Sequence, residues 1–299
     1  MLSNKIKRLS ALAAAISALG ACASSAQNSF QAASRDTSAE VSYQHLRNAT
    51  AKIKIGDKTF LIDPYLGKQG VYAGFEGTVN SHIRNPRIPL PTDAAQIIQG
   101  VDAIIVTHTH DDHWDEAAQK LLPKDLPVFV QNAGDAKIIR GQGFKDVRVL
   151  GQNTAFGNVK LSKTGGQHGT DEMYAVPQFA ELLGDAMGVV MQAPNSETVY
   201  VVGDTIWNHH VENALAKHRP EVVVMNTGLA KAIGFDDGII MGTADVGKMR
   251  QAMPQAQIVT VHMDAVNHAT VSRQDMRDYV KQHSLKGVFV PNDGEVLRF

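Results

Sequence analysis

The first regular pattern of apolar and polar positions lies between residues 51 and 63. Residues 51–55 alternate apolar and polar side chains, and residues 59–63 form a second, mainly apolar run that ends before Pro64. A period of two is typical of a strand with one buried face. Because Gly56 and Asp57 between the two runs are turn-forming residues, the pattern predicts a β-hairpin.

Apolar runs and segments with helical periodicity alternate along the rest of the chain. The predicted strands are 101–106, 127–131, 144–150, 157–163, 186–192, 198–202, 221–225, 257–261 and 287–290. The predicted helices are 114–122, 133–141, 209–217, 243–253 and 272–283. This interleaving predicts a layered α/β fold whose helices cover the sheets. Residues 65–92 lack periodicity and carry four glycines and three prolines, which is typical of a functional or mobile loop.

The N-terminal pattern is that of an export signal. A positively charged start is followed by a short apolar stretch at 9–21, shorter than the roughly 20 residues that span a bilayer. The stretch ends in Leu-Gly-Ala-Cys, which resembles the bacterial lipobox and predicts a signal peptide over 1–22 with lipidation of Cys22. Ordinary cleavage after Ala23 or Ala26 is the alternative. Residues 23–40 are expected to be a flexible tether and 41–299 a single hydrolase domain.

The expected location follows from this signal. With a lipidated cysteine, the chain is expected to be an outer-membrane lipoprotein that faces the periplasm and meets the membrane through its lipid anchor alone. With ordinary cleavage, it is expected to be a soluble periplasmic protein.

Charge and cysteine content exclude several kinds of protein. The 299 residues include 29 basic and 30 acidic side chains, for a net charge of −1. Because binding to polymeric nucleic acid needs many phosphate contacts from lysine and arginine, no nucleic-acid partner is expected. The single cysteine excludes an intramolecular disulfide and a multi-cysteine zinc site.

The main candidate chemistry follows the predicted strand 101–106. Three histidines and an aspartate stand in the order His108-x-His110-x-Asp112-His113. Neutral imidazoles and carboxylates suit an ion such as Zn²⁺, whereas the alternative is a polar loop that is rich in histidine by chance. His108 and His110 point the same way if the backbone is extended, so Asp112 and His113 are expected to point elsewhere, towards a second ion.

Three more polar residues stand where predicted strands end. His168 follows a glycine-rich exit, Asp204 follows the strand 198–202, and His262 follows the strand 257–261. Each alone is more simply explained as a polar residue bonded to a turn. Together with the histidine motif they make seven candidate ligands at strand ends, which suits two ions that share a carboxylate.

The combined order of these residues is similar to that of the metallo-β-lactamase superfamily, from about residue 43 to the end of the chain. The resemblance implies a four-layer αββα sandwich and two bound divalent ions, with zinc favoured and manganese or iron as alternatives. It implies that the first ion is held by His108, His110 and His168, the second by Asp112, His113 and His262, and both by Asp204. The stretch 261–268 looks like the branch close to ascorbate-6-phosphate lactonase-like hydrolases. The chain lacks the cysteine ligand common in authentic two-zinc β-lactamases, so an antibiotic-resistance role is weakly supported.

The expected activity is hydrolysis of a small lactone or similar ester by a hydroxide that bridges the two ions. Asp112 is expected to pass the proton to the leaving group, and His268 is the catalytic candidate outside the ligand set, with packing at a turn as the alternative. Arg84 and Arg87 are candidates for binding an anionic substrate group. The competing functions are a small phosphodiester or phosphonate hydrolase and, from another class, a non-catalytic metal-stabilised binding lipoprotein.

A few further residues have weaker assignments. Asp63 ends a predicted strand on the same side and is expected to orient a ligand. Trp114, Tyr72 and Phe75 are candidates for an apolar wall, with core packing as the alternative.

Overall fold

The computed structural model describes residues 40–299, and the expected signal peptide, Cys22 and nearly all of the expected tether lie outside this part of the chain. The predicted hairpin is present as strands Thr50–Ile55 and Lys58–Ile62, which pair antiparallel with Ile55 opposite Lys58. Gly56 at the turn has a φ of +57°, a conformation that glycine adopts without strain. The hairpin prediction is confirmed.

The chain forms fourteen strands and eight helices over the described residues. The strands are β1 Ser42–Arg47, β2 Thr50–Ile55, β3 Lys58–Ile62, β4 Ala103–Val106, β5 Val128–Val130, β6 Val147–Val149, β7 Thr154–Phe156, β8 Val159–Gly165, β9 Met187–Gln192, β10 Val199–Val201, β11 Val222–Asn226, β12 Gln257–Val261, β13 Val288–Phe289 and β14 Val296–Arg298. The helices are α1 Ala94–Ile98, α2 Glu116–Leu121, α3 Ala133–Gly141, α4 Asp171–Tyr174, α5 Pro177–Leu183, α6 His209–His218, α7 Thr243–Ala252 and α8 Arg273–Gln282.

The strands make two seven-stranded mixed sheets. The order in the first sheet is β14-β1-β2-β3-β4-β5-β6, and in the second it is β13-β12-β11-β10-β9-β8-β7. In each sheet one side is antiparallel and the other is parallel: β3 to β6 run parallel, as do β10 to β13. The carboxyl ends of parallel strands collect at one edge, where sites form in α/β folds.

Apolar side chains fill three layers between these elements. The inner faces of the two sheets share a core that includes Ile53, Phe60 and Ile105 from the first sheet and Val189 and Val201 from the second. A second core lies between the first sheet and α1 to α3, and a third between the second sheet and α6 to α8. The predicted four-layer αββα sandwich is therefore confirmed.

The structure also contains elements that periodicity did not predict. β1 was missed because buried polar residues, His45 and Arg47, interrupt its apolar alternation. The edge strands β7 and β14 have three residues each, and α4 and α5 have four and seven, which is too short for a periodic signal. Helix α2 begins at Glu116, two residues after the predicted start, because the Asp115 side chain accepts the Ala118 N–H as an N-cap.

None of the helices in the described part is long and apolar enough to span a membrane.

Candidate metal centre

The histidine motif follows directly from the end of β4. Residues 108–110 have no regular structure, and the chain then turns, with the N–H groups of His113 and Trp114 both donating to the His110 carbonyl at 2.9 Å. His108 Nε2 and His110 Nδ1 lie 3.0 Å from each other. His113 is also close to this pair, because its ring centroid lies 4.1 Å from that of His108 and because His108, His113 and Asp204 form a further cluster. The division of the motif between two ions stays a prediction.

The first cluster consists of His108, His110 and His168, whose inner nitrogens lie within 4.8 Å of one another. His108 uses its other nitrogen, Nδ1, to donate to the Thr107 hydroxyl at 3.1 Å. His168 donates from Nδ1 to a carbonyl oxygen at 2.9 Å, and His110 does so from Nε2, also at 2.9 Å. Each imidazole thus holds its proton on the outside and presents a lone pair to the cluster.

The two carbonyls come from segments far away in the sequence. Ile239 accepts from His168, and Leu182 at the end of α5 accepts from His110. Because metal-binding histidines usually donate their second N–H to a carbonyl or carboxylate, this arrangement is that of a prepared metal site.

The second cluster consists of Asp112, His113 and His262. His113 Nε2 lies 3.1 Å from His262 Nε2, which in turn lies 3.2 Å from Asp112 Oδ2. Asp63 accepts the outer proton of His113 at 2.9 Å. Asp63 was expected to orient a ligand, and its contact is of that kind.

Asp204 lies between the two clusters. Its Oδ2 is 3.2 Å from His113 Nε2 and 3.5 Å from the Nε2 atoms of both His168 and His262. Gly203 allows this position because its φ is +76° and a Cβ there would lie 2.2 Å from the Met187 carbonyl oxygen. A carboxylate so placed can contact ions in both clusters.

The electrostatics of the clusters fit cation binding. Burial lowers the pKa of His108 well below its usual range and that of His110 to about 4, so both imidazoles stay neutral. Burial opposes charge on Asp204, but the neighbouring His113 and His262 hold its carboxyl pKa well below its usual range. Lone pairs of buried imidazoles that face each other at about 3 Å repel unless a cation lies between them. The residues present therefore fit divalent metal ions.

A cavity of about 360 Å³ opens onto the first cluster. Its metal end is lined by His110, Asp112, His168 and His268. The rest of its wall is mainly apolar, with Phe75, Phe179, Leu182, Leu183, Ala232 and Ile239, and it also includes the polar residues Glu76, Thr78, Thr109 and Asp111. Of the three candidates for such a wall, Phe75 lines the cavity, whereas Trp114 packs in the core below the first sheet and Tyr72 stacks on Tyr65.

His268 lies in the cavity wall and is buried. Its ring meets the Phe75 ring edge-on, with centroids 5.0 Å apart, and its Nδ1 has no hydrogen-bond partner among the described residues. Burial lowers its pKa to about 4, so the imidazole is neutral at pH 7. This position allows contact with a substrate beside the metal centre.

The two arginines predicted to bind substrate do not reach the cavity. Arg84 donates to the carbonyls of Gly70 (2.6 Å) and Val71 (2.8 Å), so it holds its own loop together. Arg87 is exposed, and its backbone N–H donates to Ala265. Neither arginine is among the residues that line the cavity, so their role in substrate binding stays a prediction that this geometry does not support.

Two asparagines beside the centre were missed by sequence reasoning. Asn48 donates to Asp112 Oδ2 at 3.2 Å, and Asn226 donates to Asp204 Oδ1 at 2.6 Å. Asn226 ends β11, the strand next to β10. Its position at a strand end could therefore have indicated that it lies near Asp204. Asn48 lies in a turn between two strands, where asparagine is ordinary.

Comparison with known proteins is consistent with this geometry. The beta-lactamase superfamily domain matches residues 58–263. The UPF0173 protein YddR of Bacillus subtilis is 42% identical over 255 residues, which cover 85% of this chain and 98% of that protein.

Two solved structures are also similar. A possible metal-dependent hydrolase from Veillonella parvula is 50% identical with a TM-score of 0.86, over 87% of this chain and 99% of that one. An isothiocyanate hydrolase from Delia radicum gut bacteria is 40% identical with a TM-score of 0.84, over 86% of this chain and 99% of that one. The fold, the site and these matches together show that the chain belongs to the metallo-β-lactamase superfamily of metal-dependent hydrolases.

Proposed function

We propose that this chain is a dinuclear hydrolase that acts on an electrophilic carbon of a small, neutral and largely apolar substrate. The observation that carries the proposal is the cavity: it leads to the clusters between apolar walls, and none of the described residues that line it is lysine or arginine. An isothiocyanate is the first candidate substrate, and a lactone or ester is the second.

In this proposal the seven donors hold two ions, with zinc as the first candidate and manganese or iron as alternatives. His108, His110 and His168 would hold one ion, Asp112, His113 and His262 the other, and Asp204 both. When bound, such a pair lowers the pKa of a water molecule towards 7 and polarises a substrate heteroatom. The distances within and between the clusters support the assignment.

Two side chains at the metal end of the cavity would act on the substrate. Asp112 lines the cavity, and its carboxylate would carry a proton from the attacking water to the nitrogen of an isothiocyanate, or to the leaving oxygen of an ester. His268, neutral at pH 7, would donate a hydrogen bond to the substrate heteroatom on which negative charge develops.

The isothiocyanate candidate rests on one relative and on the shape of the substrate. The structural relative named an isothiocyanate hydrolase is 40% identical over 86% of this chain. Addition of water across the C=N bond of R–N=C=S gives a thiocarbamic acid, which breaks down to the amine R–NH₂ and carbonyl sulfide. The linear reacting group is uncharged and its R group is apolar, which suits this cavity.

A lactone or ester remains the second candidate because of the narrower resemblance to lactonase-like hydrolases. A phosphodiester or a phosphorylated lactone fits less well, since phosphate recognition usually employs arginine or lysine. The non-catalytic lipoprotein is disfavoured, because the cavity opens onto the first cluster and is also lined by Asp112 of the second.

The test is a substrate panel on the full-length, metal-loaded protein with two metals per chain verified by elemental analysis. The panel contains phenethyl and allyl isothiocyanate, γ-butyrolactone, p-nitrophenyl acetate and bis-p-nitrophenyl phosphate. We expect fastest turnover of an isothiocyanate, and loss of that activity in His110→Ala but not in His209→Ala, an exposed histidine on α6. Faster turnover of the phosphodiester, or full activity in His110→Ala, would overturn the proposal.

A further inference from the structure

The cavity wall beside the metal centre includes a loop without regular structure. Residues 65–92 contain no helix or strand in the described part of the chain, yet Phe75 and Thr78 of this loop line the cavity. The loop has two isolated β-bridges, Tyr72 with Asn85 and Thr78 with Ala232. Side-chain hydrogen bonds must therefore contribute to its position.

One buried side-chain amide makes four of these bonds. Asn267 is fully buried, and its Oδ1 accepts from the Phe75 N–H at 3.0 Å and from Asn85 Nδ2 at 2.7 Å. Its Nδ2 donates to Thr78 Oγ1 at 2.9 Å and to the Val79 carbonyl at 2.8 Å. Its backbone N–H donates to Asn85 Oδ1 at 2.8 Å.

This set uses the full bonding capacity of an amide. A side-chain amide offers two donor hydrogens and an oxygen with two acceptor positions, and Asn267 employs all four. An aspartate would lose both donor bonds, and an apolar residue would remove the partner of the Phe75 N–H, the Asn85 amide and the Val79 carbonyl. Asparagine is therefore the side chain that matches this place.

The next residue is His268, which faces the cavity. Its carbonyl accepts from the Lys231 N–H at 3.0 Å, and the following Ala269 forms a bridge with Ala230. Asn267 thus lies where the backbone of His268 is held on one side by residues 230–231 and on the other by the long loop. The Phe75 backbone that it binds carries the ring that packs edge-on against His268.

We propose that Asn267 is a positioning residue that fixes His268 and Phe75 as one wall at the reacting end of the cavity. The identity of the substrate that meets this wall rests on the proposed function. The positioning itself rests on the hydrogen bonds of Asn267 and the ring contact.

A first experiment needs no substrate. Amide hydrogen exchange of full-length Asn267→Ala is compared with that of the parent protein and of Asn80→Gly. Asn80 is the matched control because it is an exposed residue of the same loop, has a φ of +56° that glycine tolerates, and reaches the Asn267 carbonyl at 3.3 Å. We expect the Phe75 amide to exchange at least tenfold faster in Asn267→Ala alone. Unchanged exchange at Phe75 would overturn the proposal.

A second experiment is a double-mutant cycle with phenethyl isothiocyanate on protein of verified metal content. Asn267→Ala is expected to lower kcat at least tenfold with two metals per chain retained. When Asn267→Ala is added to His268→Ala, kcat is expected to fall by less than a further twofold, because the imidazole that Asn267 positions is already absent. If the kcat loss of the double variant equals the product of the two single losses, Asn267 acts independently of His268 and the proposal is overturned.

A third variant covers the case in which Asn267→Ala does not fold. Asn85→Ala removes two of the bonds to Asn267 and leaves the Asn267 side chain in place. It is therefore expected to show a smaller increase in Phe75 amide exchange and a smaller loss of kcat. Normal exchange at Phe75 together with normal kcat in Asn85→Ala would then count against the proposal. If neither an isothiocyanate nor a lactone or ester is turned over, the proposed function fails while the exchange experiment still tests the positioning.

Discussion

Each histidine of the first cluster has one ring nitrogen committed to a partner outside the centre, and the identity of that partner sets which nitrogen is free. Asp63 influences histidines of both clusters, one directly and one through Thr107. Its carboxylate accepts from His113 Nδ1 at 2.9 Å and from the Thr107 hydroxyl at 2.7 Å, and that hydroxyl accepts from His108. One carboxylate therefore orients an imidazole in each cluster.

Asp63→Asn is predicted to weaken metal binding by about 10- to 100-fold, because the amide replaces an acceptor oxygen with a donor nitrogen. Competition with a chromogenic chelator measures this affinity. Asp102→Asn is the matched control because it makes the same change at the opposite end of β4. Asp102 accepts the Thr59 N–H before this strand, whereas Asp63 accepts the Thr107 N–H after it. Equal affinity in the two variants would contradict the role of Asp63.

At the scale of elements, strand ends supply the ligands and short helices supply the wall. β4, β8, β10 and β12 lead into His108, His168, Asp204 and His262, so the strand-end prediction anticipated which residues would meet. α5 was not predicted, yet it provides Phe179, Leu182 and Leu183 of the wall as well as the carbonyl bonded to His110. Substrate selectivity is therefore expected to depend on an element with little sequence signal.

Phe179→Ala is predicted to lower kcat/KM for phenethyl isothiocyanate about tenfold while changing that for allyl isothiocyanate less, because the larger R group loses more apolar contact. The ring of Phe179 lines the cavity and packs on Phe235 at 4.8 Å. Leu121→Ala, an equally apolar truncation on α2 away from this cavity, is the control. Equal losses of kcat/KM for the two isothiocyanates would show that α5 does not determine substrate selectivity.

On the scale of the whole molecule, the metal centre joins the two sheets. Its histidine motif follows β4 of the first sheet, whereas Asp204 and His262 follow β10 and β12 of the second. Ions shared by these residues would link the sheets at one edge of the sandwich, in addition to the apolar core between them. Metal content is therefore expected to affect global stability.

Removal of metal from the full-length protein is predicted to lower Tm by about 10 °C. Free metal at a thousandfold excess over Kd stabilises the folded state by about 4 kcal/mol, which corresponds to a shift of this order in a domain of this size. Thermal unfolding followed by circular dichroism, with and without a chelator, measures the change. Re-addition of zinc is expected to restore Tm, and an unchanged Tm after verified metal removal would contradict the prediction.

Export and lipidation remain a prediction about residues outside the described part of the chain. In a bacterial host supplied with a labelled fatty acid, the parent chain is expected to incorporate label, Cys22→Ser to lose it, and the neighbouring Ser24→Ala to keep it. Label in Cys22→Ser would contradict lipidation at Cys22. A label-free, soluble parent protein cleaved after Ala23 or Ala26 would favour the alternative signal.

The sequence by itself determined the layered α/β fold and the candidate metal donors, because strand periodicity and the spacing from His108 to His113 are local properties. His168, Asp204 and His262 could be added since strand ends tend to share an edge. Only the tertiary structure decided which nitrogen of each imidazole faces inward, because the partners of His113 and His168 lie 50 and 71 residues away. It alone showed that Arg84 bonds to its own loop and that Asn267 bonds to Phe75 and Thr78, since aperiodic loops take their shape from distant contacts.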